Sequence, residues 1–131
     1  MHAKVFVSSV TLRLTGASGV GAVLIVDGRV YETFQPIGKS THRTALRTAI
    51  DYGLMEARNK GARIVDIYIP SRVVVSQLRR GQNEQEWSNT LALLRQFEHF
   101  SVNFIANRQS RVAMTLARRA AEISLKQLST I

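Results

Sequence analysis

The chain of 131 residues has no cysteine, which excludes a disulfide scaffold, a thiolate metal site and a cysteine nucleophile together. Proline occurs only as Pro36 and Pro70, and neither lies in a stretch of linker composition. No apolar run is long enough for a signal peptide or a membrane span, so a soluble cytoplasmic protein with no membrane partner is expected. The three histidines, His2, His42 and His99, are too far apart in sequence to make a local metal motif. Neither a G-x-S-x-G elbow nor an S-x-x-K pair is present. The glycine-rich GASGVG at 16 to 21 is followed by no helix that could add its dipole to a phosphate cradle, so it reads as a turn between strands.

Acidic residues are also scarce. Nine Asp and Glu stand against eighteen Lys and Arg, fourteen of them arginine, for a formal charge of +9. Arginine presents a planar fork that can pair two phosphate oxygens at once, so the excess favours a polyanionic partner. The cations are spread over both halves of the chain, without a dense basic run. Hydrophobic residues make up 45% of the sequence, enough for one core, and no repeat or low-complexity segment divides it. A single domain over 1–131 is expected.

The periodicity along the chain changes in an orderly way. Residues 3 to 14 alternate, with a change of phase near Ser8 and Ser9 that predicts a long strand with a bulge. Two β-rich runs flank Asp27-Gly28, a strong hairpin signal. Helical spacing then appears over 41 to 60, with Ser40 or Thr41 as cap, and RIVDIYI at 63 to 69 is a short buried strand stopped by Pro70. Ser71 caps a second helix ending at Gly81; a third is expected over 84 to 98, where Trp87, Leu91, Leu94 and Phe97 form a core stripe. A strand SVNFIA and a final helix over 110 to 127 complete the order βββ-α-β-α-α-β-α.

That order is similar to the ribonuclease H fold, and four segments carry the resemblance. GVGAVL at 19 to 24 resembles the family's second strand and STHRTALRTAI at 40 to 50 the start of its first helix. PSRVVVSQLRRG at 70 to 81 resembles a strand end with its following helix, and NRQSRVAMTLARRAAE at 107 to 122 resembles the last helix. The resemblance implies an α/β fold: a five-stranded mixed sheet of three antiparallel strands and then two parallel ones, flanked by helices. It also implies an active site of four carboxylates holding two divalent metals. In this chain those four positions fall on Ser8, Ala45, Pro70 and Met114, and the family's loop histidine has no counterpart between Ala106 and Ser110. Asp27, Asp51, Glu56 and Asp66 are the nearby acids, read as solvated charges or local pairs.

A ribonuclease H-like pseudoenzyme with no metal or other cofactor is therefore the expectation. The residues expected to touch nucleic acid are Arg13, Ser40, Thr41, His42, Arg43, Ser71, Arg72, Arg108 and Arg111, grouped around the vacated centre. Arg79 and Arg80 follow the second helix, where such enzymes carry a basic protrusion, but the segment RRGQNEQEW is short and mixed in charge. The partner class is a duplex RNA or an RNA–DNA hybrid, bound through shape and backbone. The alternative is a structural scaffold that self-associates as a homo-oligomer and uses its arginines only for solubility.

Overall fold

The computed structural model describes residues 1–129. Its elements are β1 (His2–Thr11), β2 (Ala17–Val26), β3 (Arg29–Lys39), α1 (His42–Asn59), β4 (Ile64–Ile69), α2 (Arg72–Arg80), α3 (Ser88–Leu94), β5 (His99–Phe104) and α4 (Arg111–Ser129), with a short 3-10 turn at Asn107–Gln109. The five strands form one sheet in the order β3-β2-β1-β4-β5. β1, β2 and β3 are consecutive antiparallel neighbours, while β4 runs parallel to β1 and β5 parallel to β4. This is the expected ribonuclease H-like sheet. Asp27 and Gly28 both take positive φ, as a two-residue hairpin turn requires.

Successive side chains of a strand face opposite ways, and the two faces of this sheet are covered differently. On one face Val5, Val7, Ala22, Val65 and Ile67 join Ile50 and Leu54 of α1, Val75 and Leu78 of α2, and Trp87 and Leu94 in the main core. α4 lies on the other face with Ala113, Leu116, Ala117, Ala120 and Ala121 buried. It can do so because β2 has glycine where α4 crosses: a Cβ on Gly21 would stand 2.4 Å from the Ala113 carbonyl oxygen, and one on Gly19 2.3 Å from the Ala121 nitrogen. The glycine-rich run expected to be a turn is thus mostly strand, since the turn occupies 12 to 16 and β2 starts at Ala17.

Three further expectations are corrected. The ladder between β1 and β2 is continuous from Ala3↔Val26 to Thr11↔Ser18, so there is no bulge at Ser8 and Ser9; the irregularity lies between β2 and β3 at Ser18/Gly19. Alternation fades there because Val7 is buried on the α1 side while Ser8 is buried on the other, leaving no wet face. Leu14 lies beyond the end of β1 and is 100% exposed. The third helix spans only Ser88–Leu94, not 84 to 98. Asn83 has φ +53, and residues 95–98 turn into β5, yet Trp87, Leu94 and Phe97 still reach the core.

Candidate nucleic-acid interface

β1 and β4 are parallel neighbours, so their C-terminal ends open on the same edge of the sheet. α1 begins there just after β3, α2 just after β4, and the Asn107–Gln109 turn brings in the start of α4. Ser8, Pro70 and Met114 line one cavity of about 190 Å³ at this edge, together with Ser9, Val10, His42, Leu46 and Asn107. Ala45 is fully buried in the first turn of α1, next to the lining residue Leu46. Three of the four positions assigned from sequence thus share a cavity, and the fourth is buried one residue before a lining residue.

What these residues can hold follows from their donor atoms. Ser8 offers a neutral hydroxyl, Met114 a soft thioether, and Ala45 and Pro70 no ligating side-chain atom. Hard divalent cations need several oxygen ligands, mostly carboxylates, so this donor set does not fit the metal pair of the family's chemistry. Among the described residues no group of three or more His, Asp or Glu is clustered closely enough to hold a metal ion. The acids nearest in sequence are engaged elsewhere. Asp51 accepts from Asn89 at 2.8 Å and from Thr90 at 2.5 Å, tying α1 to α3. Asp66 accepts from Ser101 and pairs with His2, both at 2.5 Å. The Ser101 hydroxyl, more than His2, holds the Asp66 carboxyl below its ordinary range against the opposing effect of burial.

The surroundings of the cavity are hydroxylic, amidic and free of negative charge. No acidic residue occupies the first turn of α1, α2 or α4, so the partial positive charge at these helix starts is unopposed locally. His42 and Asn107 put an imidazole and an amide on the cavity wall. Thr41, not Ser40, caps α1 by accepting from the Thr44 amide at 3.2 Å; the Ser40 hydroxyl donates to the Thr41 carbonyl. Ser71 caps α2 through the Val74 amide at 3.3 Å. Asn107 and Ser9 were not singled out from sequence. Asn107 carries no motif, and only the 3-10 turn, held by the Ser110 hydroxyl donating to the Asn107 carbonyl, brings it to the edge.

The arginines around this edge differ sharply from one another. Arg43 is already used: its Nε and Nη2 donate to the two carboxylate oxygens of Glu86, and Nη2 also reaches Gln77 at 3.1 Å. This fork holds the Glu86 carboxyl below its usual range, and the carboxylate in turn raises the Arg43 pKa. Gln77 also accepts from the indole of the buried Trp87 at 3.0 Å, so Arg43 is part of the brace that fastens residues 82–87. Arg72 instead lies over the Phe104 ring at 4.1 Å. Arg13, in the turn after β1, and Arg108, in the 3-10 turn, are exposed. Arg111 opens α4 and lines a separate groove of about 240 Å³ over Phe6 and Val23.

The family model described as reverse transcriptase-like matches residues 7–120 of the chain. No curated protein matches it. Among solved structures the chain is similar to ribonuclease H1 from the halophilic archaeon Halobacterium salinarum, with a TM-score of 0.86 at 22% identity over 93% of this chain and 98% of that one. It is similar also to the N-terminal ribonuclease H domain of a Mycobacterium tuberculosis protein, with a TM-score of 0.87 at 21% identity over 97% and 98% of the two chains. LC11-RNase H1, solved in complex with an RNA/DNA hybrid, gives a TM-score of 0.83 at 16% identity over 94% and 99%.

Proposed function

The chain belongs to the reverse transcriptase-like family of ribonuclease H-fold domains, and from that premise we propose that it binds nucleic acid containing an RNA strand without cutting it. One observation carries the reading: Ser8, Pro70 and Met114 meet in a single cavity, so the place where relatives would hold metals offers no carboxylate. The fold neighbour LC11-RNase H1 was solved with an RNA/DNA hybrid, which supports the same class of partner here. With no carboxylate on the cavity wall, and the Ser8 hydroxyl, the Asn107 amide and the His42 imidazole lining it, no cation is needed between protein and phosphate. Backbone oxygens can then be met directly by donors at the helix starts and by arginine.

The residues proposed to make contact are Ser40, Thr41 and His42 at the start of α1, Ser71 and Arg72 at the start of α2, and Arg13, Arg108 and Arg111 around them. Arg43 contributes only by leaving Glu86, so its share is the smallest. Binding of this kind neutralises phosphates and releases counterions, which makes it weakly sequence-selective, independent of divalent metal and steeply dependent on salt. With four arginines on phosphates, log affinity against log salt on a duplex should have a slope of roughly −3 to −4.

The test compares binding and cleavage of an RNA–DNA hybrid, duplex RNA and duplex DNA at several salt concentrations, with magnesium, manganese or chelator. Tight binding unaffected by chelator, with the hybrid left intact, is the expected result. Metal-dependent cleavage that persists through purification and disappears in an acid-to-amide variant such as Asp51→Asn would overturn the non-cleaving reading. Absence of binding at low salt by the folded chain would overturn the nucleic-acid reading itself.

A further inference from the structure

The sheet has two edges, and they are finished differently. β5 is six residues long, and Arg79 already donates to its Val102 carbonyl at 2.7 Å. β3 is eleven residues long, and among the described residues no strand lies beyond it. The hairpin before β3 settles which of its backbone groups are free. Asp27 and Gly28 form a two-residue turn, so Val26 and Arg29 exchange both backbone bonds, and such pairs recur at every second residue of an antiparallel ladder. Arg29, Tyr31, Thr33 and Gln35 therefore bond to β2, while the N–H and C=O groups of Val30, Glu32 and Phe34 point outward. Pro36 takes the next outward position, where its missing N–H removes nothing from the ladder to β2.

A row of outward donors and acceptors is a template for a further strand, and no loop backbone group among the described residues bonds to this one. The side chains beside it carry a definite charge. Successive residues of β3 face opposite ways. Tyr31 packs toward the main core with the Lys60 ammonium over its ring at 4.2 Å, while Phe34, paired with Gly21 on the α4 side, has the Arg119 guanidinium over its ring at 5.7 Å. An aromatic face orients a cation without supplying a counter-charge. Among the described residues neither Lys60 nor Arg119 forms an ion pair with a carboxylate. One cation thus stands on each face of the sheet beside the free edge, and Glu32 is the only acid in β3.

We infer that β3 accepts an extended acidic segment of a partner protein as a sixth strand of the sheet. Main-chain bonds to Val30, Glu32 and Phe34 hold the segment, and its side chains set the specificity. The residues of the added strand opposite Tyr31 and Phe34 are three apart and so face opposite ways, one toward Lys60 and the other toward Arg119. An acid at each of these positions, in the spacing acid-x-x-acid, meets both cations. A second copy of this chain fits less well. Pairing two β3 strands with all three outward residues engaged sets Glu32 against Glu32 across the two-fold axis, and each copy brings a formal charge of +9. The edge shares no residue with the proposed nucleic-acid contacts, so neither reading depends on the other.

The experiment titrates the full chain with a short fluorescein-labelled peptide of threonine and valine that carries two glutamates three positions apart, and with the same peptide bearing lysines instead. The glutamate peptide should bind, and the lysine peptide should bind roughly tenfold more weakly. In hydrogen exchange the amides of Val30, Glu32 and Phe34 should be fast in the free chain and slow in the complex, while those of Tyr31 and Thr33 are slow in both, a pattern that a peptide lying on a face of the sheet does not give. Val30→Pro removes one outward N–H without touching the ladder to β2 and should weaken binding roughly tenfold. Lys60→Glu with Arg119→Glu keeps the strand and should reverse the preference toward the lysine peptide, which guards against a folding defect in the first variant. Failure of the glutamate peptide to saturate at millimolar concentration, binding that leaves the three outward amides exchanging freely, or an unchanged preference in the charge-reversed chain would overturn the inference. So would a concentration-dependent dimer in sedimentation that Val30→Pro abolishes, because a second copy would then fill the edge.

Discussion

The two flanks of α2 have opposite fates. On one, Gln77 accepts from the Trp87 indole and from Arg43, whose guanidinium also pairs with Glu86, so these groups are engaged in holding α1, α2 and residues 82–87 together. On the other, Arg72 and Arg79 are anchored by an aromatic ring and a carbonyl, and neither anchor neutralises them. An arginine paired with a carboxylate serves the fold, whereas one oriented by neutral groups keeps its charge for something outside it. The contrast teaches that counting cations says little about binding until each one's partner is known.

The two flanks can be pulled apart by substitution, and the largest effect belongs to the braced side. Trp87 is fully buried, and Trp87→Ala should cost about 3–5 kcal/mol in urea denaturation, by lost burial and the cavity left behind. Gln77→Leu removes the acceptor of a buried indole and should cost about 1–3 kcal/mol, with faster exchange of the indole proton. By contrast, Arg72→Ala should move stability by only about 0.5 kcal/mol, as for surface changes in general, while weakening nucleic-acid binding. A stability loss from that change as large as that of Gln77→Leu would erase the distinction between the flanks.

Arg43 sharpens the comparison from the other direction. Arg43→Ala should raise hydrogen exchange in residues 83–87 while changing the salt slope of binding less than Arg72→Ala. An equal slope change would mean that phosphate displaces Glu86. The smallest effect is in pH. Because the folded-state pKa of Glu86 is lowered by Arg43, the pairing contributes fully above the ordinary carboxylate value of about 4 and is lost as pH falls through the lower folded value. Exchange in residues 83–87 should therefore rise on acidification in the parent and be already raised, without that pH dependence, in Glu86→Gln.

Much of this architecture was legible in the amino-acid order because the signals are local. Asp27-Gly28 fits only a tight turn, Pro70 cannot continue a strand, and Ala45, Leu46, Ala49 and Ile50 bury one helical face. Local signals failed where a neighbour distant in sequence decides. The alternation of β1 was broken by burial on both faces, not by a bulge, and GASGVG looked like a turn because the helix that needs those glycines lies about a hundred residues further on. Residues 84–87 have helical composition but form turns ahead of α3, where Glu86 and Trp87 are tied to Arg43 and Gln77 far away in sequence.

By itself the sequence determined which elements form, their order, and the lack of carboxylate at Ser8, Ala45, Pro70 and Met114, since backbone preference and donor chemistry belong to each residue wherever it sits. Only the tertiary structure decided which arginines have a carboxylate partner and which are held by neutral groups. A guanidinium at the end of a long, flexible side chain takes whatever partner the fold brings within reach. Glu86 is 43 residues from Arg43, and Val102 is 23 from Arg79, so neither pairing leaves a trace in local pattern.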